Sequence, residues 1–238
     1  MSPLKFEQGN SIVYEIIKAG GWLMWPLILC SVISIAIITE RFWALRRGRI
    51  LPKQVMAQIW TWYKRNELTN EAIQSLREGS PLGRVLAAGL MNRRHSRAVM
   101  KESIEEAGRV EVHEMERFLN TLGTIAAVAP LLGLLGSVVG LMEVFSSMTT
   151  HGVGNPQALG AGISKIMIAT ASGLAVAIPS LIFYRYFQGL VDEFAISLEQ
   201  EAIKLVEVLQ GEREREAASM HMLDKDQPPL RAPMAGKS

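Results

Sequence analysis

The chain has 238 residues, of which 49% are hydrophobic and 20% charged, with a net charge of only +2. Averages of this kind suit an ordinary soluble domain, but the distribution excludes one: residues 19–38, 122–142 and 166–184 contain no charged side chain. Crossing roughly 30 Å of hydrocarbon at 1.5 Å per residue takes about 20 apolar residues, and a soluble core helix rarely stays apolar on every face over that length.

Residues 1–18 form a leader with two Lys and two Glu, in which Ile12, Val13, Ile16 and Ile17 have helical spacing. They are expected to form an amphipathic helix on the outer membrane surface. The first span, 19–40, is too long for a cleavable signal and closes on Glu40-Arg41 as a stop-transfer boundary does. Trp22, Trp25 and Trp43 flank it as interfacial anchors, and Phe183, Tyr184, Tyr186 and Phe187 are expected to do the same for the third span. Cys30, the single cysteine, has no intramolecular partner and reads as a small buried hydrophobe.

Residues 41–121 read as a helical cytoplasmic domain, with Asn66, Thr69 and Asn70, then Gly79-Ser80-Pro81, as turn and cap signals. Their 15 Lys and Arg against nine Asp and Glu are too balanced for nucleic-acid binding. Arg41, Arg46, Arg47, Arg49 and Lys53 follow the first span, whereas 146–164 lacks Lys and Arg before Lys165 is reached. Positive charge stays on the cytoplasmic side, so the N-terminus is expected outside, the C-terminus inside and 146–164 as an outer connection. From about Arg97 a pattern of Val99, Ser103, Glu106, Val110, Met115, Phe118 and Leu119 runs into the second span, 122–145, without a breaker.

That span carries Ala126, Pro130, Gly133, Ser137 and Gly140 on one stripe; the third, 165–187, carries Thr170, Gly173, Ala177 and Ser180. Small residues so spaced let helix backbones approach closely in lipid. Pro130 and Pro179 each release a carbonyl one turn earlier, which a neighbour or water must satisfy. The residues Pro130, Gly133, Gly140, Gly173 and Pro179 are therefore assigned to helix packing. A sharper reading makes Ser137 and Thr170 the lining of a pore. Glu143 and Lys165 stand at the outer ends of the two spans, where Lys165 could snorkel to the interface or pair with Glu143. The third helix is expected to continue as a cytoplasmic helix, 188–216, through Val191, Phe194, Leu198, Ala202, Leu205 and Leu209. Gly211 and the charged run 212–216 end it, and a disordered tail occupies 217–238. Both long helices are expected to have about 50 residues, or roughly 75 Å.

The fold class is thus an all-α membrane protein with three transmembrane helices, two of them extended into a cytoplasmic helical bundle. An enzyme is disfavoured: there is no Walker A glycine loop, His95 and His113 lie in no metal-ligand constellation, and no cofactor or metal is called for. His113 is four residues from both Arg109 and Arg117 and reads as part of a solvated face.

Residues 123–143, GTIAAVAPLLGLLGSVVGLME, and 160–179, GAGISKIMIATASGLAVAIP, resemble the second and third spans of the ExbB/TolQ/MotA proton-channel family, and within it ExbB and TolQ more than MotA, which has four spans. The resemblance implies a homopentamer in the bacterial inner membrane enclosing helices of an ExbD- or TolR-like single-span partner, with a TonB-like protein as a further partner. Protons then pass inward on the partner's aspartate along a path lined by the hydroxyls at Ser137 and Thr170, and the motor so driven energises envelope transport or maintenance. Where ExbB and TolQ carry a glutamate, this chain has Lys165, also counted as pore-lining. A cation relays protons there only if burial lowers its pKa, and it could instead pair with the partner's aspartate. The alternative is a non-conducting membrane scaffold of the same fold.

Overall fold

A computed structural model of the chain describes residues 21–65, 67–151 and 156–225, of which 150–151, 156–159 and 212–225 as backbone alone. The expected leader and residues 226–238 lie outside the described residues. Among the described residues the chain is helical without strands: α1 (Met24–Ala44), α2 (Arg47–Ile50), α3 (Gln54–Lys64), α4 (Asn70–Glu78), α5 (Pro81–Met91), α6 (Arg97–Glu116), α7 (Leu119–His151) and α8 (Pro156–Lys225). Three apolar stretches are long enough to cross a membrane, Met24–Ala44, Arg97–Thr149 and Gly160–Gly211. Their flanks carry a broad apolar surface, with Leu29, Ile35, Leu131, Met142 and Ile182 all about 60% exposed or more. An area of that kind calls for lipid or for other chains.

The chain divides into two compact units, residues 21–46 with 113–193 and residues 47–112 with 194–225. In the first, α1 packs on α7 and α8 around Met24, Leu27, Ala129 and Ala177. Ser34 and Ser180 meet there, buried, with their oxygens 2.7 Å apart. The Ser180 hydroxyl donates to the Val176 carbonyl at 2.7 Å, so Ser34 is the donor between the two serines. Phe187, expected as an interfacial anchor, is fully buried instead, in a cluster with Phe42, Phe183 and Tyr186. Its face of α8 turns toward α1, and the ring gains more from burial than from an interface. Trp22, Trp25 and Trp43 are exposed, as anchors require. Cys30 is half-buried.

The second unit begins with short helices whose ends follow the cap residues. Thr69 accepts from the Ala72 N–H at the start of α4, and Ser80 accepts from the Gly83 N–H at the start of α5, with Pro81 at its first position. Gly83 is required at that corner: a Cβ there would lie 2.4 Å from the Leu76 carbonyl oxygen. Val85, Leu86, Leu90, Met100, Ile104, Leu198, Ala202 and Leu205 form the core. The α8 positions read from the sequence, Val191 through Leu209, are all buried. Over the first part of α6 the buried face is displaced by one residue from the expected pattern: Met100, Ile104 and Glu111 are buried while Val99 and Val110 are exposed. Met115, which belongs to the expected pattern, is buried. Glu111 reaches the inside because Arg84 of α5 meets it with two parallel hydrogen bonds of 2.5 and 2.6 Å.

Three helix boundaries differ from expectation. The α6 helix does not run unbroken into the second span, since Phe118 takes a φ of +64° between α6 and α7. The helix α8 runs through Gly211 to Lys225, because Glu, Arg, Ala and Met are good helix formers whatever their charge. And α7 ends only at His151 while α8 starts at Pro156, so helix occupies most of 146–164. Proline fits the first turn of a helix, where its missing N–H would have no partner.

Candidate functional site

The helices α7 and α8 touch backbone to backbone. A Cβ on Gly133 would lie 2.9 Å from the Ala169 carbonyl oxygen, and one on Gly173 would lie 2.7 Å from that of Ala129. At Gly140 the near neighbour is a side chain instead: a Cβ there would lie 2.9 Å from Ile166 Cγ1. Three of the five expected packing residues therefore form this crossing. Pro130 is half-buried and Pro179 exposed, and both helices continue through their prolines.

Close approach at the glycines brings Ser137 and Thr170 together, one turn after Gly133 on α7 and one turn before Gly173 on α8. Their oxygens are 2.5 Å apart, and Ser137 also lies 3.1 Å from the carbonyl oxygens of Gly133 and Ile166. Thr170 Oγ1 lies 3.2 Å from the Ile166 carbonyl oxygen. Two hydroxyl protons thus face each other and two carbonyls. One proton bridges the oxygens and the other rests on a carbonyl, so two arrangements exist: Ser137 donating to Thr170, or the reverse. A group that can reverse its donors passes a proton without either oxygen becoming an ion at rest. Ser137 is half-buried and Thr170 exposed, which leaves one edge of the pair open to a neighbouring chain or water.

Beyond the pair, the Lys165 ammonium donates to Glu143 Oε2 at 2.5 Å, linking α8 to α7. Lys165 and Glu143 are therefore in contact, as one of the sequence readings has them. Gly21, with φ +74°, lies close to the lysine; a Cβ there would be 3.2 Å from its Cε and 3.4 Å from its Nζ.

Sequence reasoning missed three features. One is Ser34, the partner of Ser180, which sits in an unremarkable apolar run. Another is the Gly21 turn over Lys165. The third is Arg41, whose position after the first span signals only topology. Its side chain is 6% exposed, bonds Glu40 at 2.5 and 2.9 Å, and donates from Nη1 to the Met115 carbonyl oxygen at 2.9 Å. The guanidinium also lies 5.5 Å from the Phe118 ring centre.

Residues 77–200 match the MotA/TolQ/ExbB proton channel family. The chain is 31% identical over 187 residues to the biopolymer transport protein ExbB-like 3 of Synechocystis sp., covering 76% of this chain and 88% of that one. It is 32% identical over 192 residues to ExbB-like 1 of the same organism, covering 79% of this chain and 75% of that one. To the Tol-Pal system protein TolQ of Pseudomonas aeruginosa it is 29% identical over 191 residues, covering 75% and 80%.

Proposed function

The chain belongs to the MotA/TolQ/ExbB proton channel family, and on that premise we propose that it is an inner-membrane subunit of a motor driven by the proton-motive force. In this reading five copies surround an ExbD- or TolR-like single-span partner, and a TonB-like protein is a further candidate partner. The complex energises envelope transport or maintenance; relatives named as a biopolymer transport protein and a Tol-Pal system protein support that reading. The N-terminus lies outside and the C-terminus in the cytoplasm.

The observation that carries the reading is the Ser137–Thr170 pair, held by backbone contact within two charge-free stretches. A bare charge at mid-membrane costs several kcal/mol. The partner's carboxylate, neutral when protonated, avoids that cost, and a hydroxyl pair able to reverse its donors gives the proton a hydrogen-bonded step at the crossing. Ser137, Thr170 and Lys165 line the path; Pro130, Gly133, Gly140, Gly173 and Pro179 shape the helices around it.

The test is proton flux into liposomes. The chain is tagged, purified from its native membrane with whatever single-span protein accompanies it, and reconstituted around a pH-sensitive dye. A hydrogen bond to a charged species is worth about 1.5 kcal/mol or more, so Ser137→Ala and Thr170→Ala are each expected to lower flux about tenfold. Replacing the partner's aspartate by asparagine should abolish it. Lys165, in the place of the family's glutamate, favours a second reading, a non-conducting scaffold. An assembled complex with no flux above empty liposomes would decide for the scaffold.

A further inference from the structure

The ion pair beside the hydroxyls has a geometry that bears on what can enter. Glu143 is six residues from Ser137 on α7, and Lys165 is five from Thr170 on α8. At 1.5 Å per residue both charges stand about 8 Å along the helix axes from the hydroxyl pair. No charged residue intervenes on either helix. The lysine is the more enclosed partner: its side chain is 25% exposed against 54% for Glu143, and Gly21 approaches its tip closely enough that a Cβ there would lie 3.4 Å from Nζ. The cation stands near the path, and among the described residues Glu143 is the carboxylate that meets it.

We propose that Glu143 is the counter-charge that neutralises Lys165 at the mouth of the Ser137–Thr170 path, so that the pair decides whether a cation is admitted. This inference rests on the proton-path reading above. An uncompensated ammonium about 8 Å from the hydroxyls repels an entering proton, and with solvent screening at the membrane surface the penalty is of the order of tenfold in rate. With the carboxylate at 2.5 Å the two fields nearly cancel at that distance. The simpler explanation is a strap joining two helix ends, and pairs this exposed contribute little to stability. The two explanations differ in sign. A strap is lost equally whichever end is cut, whereas neutralisation makes the two single substitutions act in opposite directions.

The experiment uses the same complex, reconstituted with the pH dye, carrying Glu143→Gln, Lys165→Met or both. Glu143→Gln, which bares the ammonium, is expected to cut flux about tenfold, with the defect shrinking as salt rises. Lys165→Met, which bares the carboxylate, is expected to raise flux, and the double variant should return it to within about twofold of the starting value. Assembly is verified for each variant by size-exclusion chromatography. If both single variants fall together, or neither changes while the unmodified complex conducts, the inference is overturned and the proton-path reading stands. If the unmodified complex does not conduct, both are overturned.

Discussion

Phe118 occupies left-handed backbone space that costs a bulky L-residue about 1–2 kcal/mol. Compensation comes from Arg41, which donates to the Met115 carbonyl one turn before the break and places its guanidinium 5.5 Å from the Phe118 ring. Arg117 lies over the same ring at 4.8 Å. Interrupting a helix orphans carbonyls, and a buried orphan costs about 1–3 kcal/mol. Arg41→Ala is therefore expected to destabilise the detergent-solubilised protein by about 2 kcal/mol, read by denaturant titration. An unchanged midpoint would mean that the break supports itself. At Ser180 the expected effect is smaller. Ser180→Ala should cost about 0.6 kcal/mol, the usual value for a polar contact between membrane helices, because Ser34 can turn to its own helix for an acceptor. A loss several times larger would show that the Ser34–Ser180 bond has no such substitute.

At the scale of elements, the crossing of α7 and α8 is set by glycine. A methyl group on Gly133 or Gly173 meets a backbone carbonyl at 2.9 or 2.7 Å, and the far atom cannot swing aside as a side chain would. Gly173→Ala is expected to cost about 1–3 kcal/mol through overpacking and to part Ser137 from Thr170. Flux should then fall along with the melting temperature. Loss of stability with flux intact would detach the hydroxyl pair from the proton path. In the second unit, Arg84 and Glu111 join α5 to α6, with Glu111 5% exposed. Removing one member leaves a charge in an apolar setting. Arg84→Ala is expected to cost about 3 kcal/mol, and Glu111→Gln distinctly less. Equal losses would argue that packing of the long arginine stem, rather than charge, holds the two helices together.

For the whole molecule, the proposed orientation is open to a direct check. With Cys30 replaced by Ser, a cysteine at Thr149 should react with a membrane-impermeant maleimide on intact spheroplasts, and one at Ser75 only after lysis. The reverse pattern would invert the topology and move the Glu143–Lys165 mouth to the cytoplasmic side. The exposed apolar faces of α1, α7 and α8 exceed what a lone soluble chain presents. Native mass measurement of the purified complex is expected to give five copies of the 26.3 kDa chain plus partner. A different copy number would remove the pentameric arrangement from the proposed function while leaving the family membership untouched.

The amino-acid sequence by itself determined what depends on local composition and period. Uninterrupted apolar length gave the three spans, small-residue spacing marked Gly133 and Gly173 as places where helices can approach closely, and Thr69, Ser80 and Pro81 marked helix starts because capping involves only neighbouring residues. The 3.6-residue period also identified the buried face of α8, where large apolar residues recur without a competing face. On the first part of α6 the buried face lies one residue away from the expected pattern, since Glu111 can be buried only if Arg84, 27 residues away, meets it. The break at Phe118 left no signal either: no glycine or proline stands there, and the residue that supports it, Arg41, lies 77 positions earlier. Ser34 with Ser180, Phe187 in its aromatic cluster and the Gly21 turn over Lys165 share that property. Each is stabilised by a partner distant in sequence, and only tertiary structure brings such partners into contact.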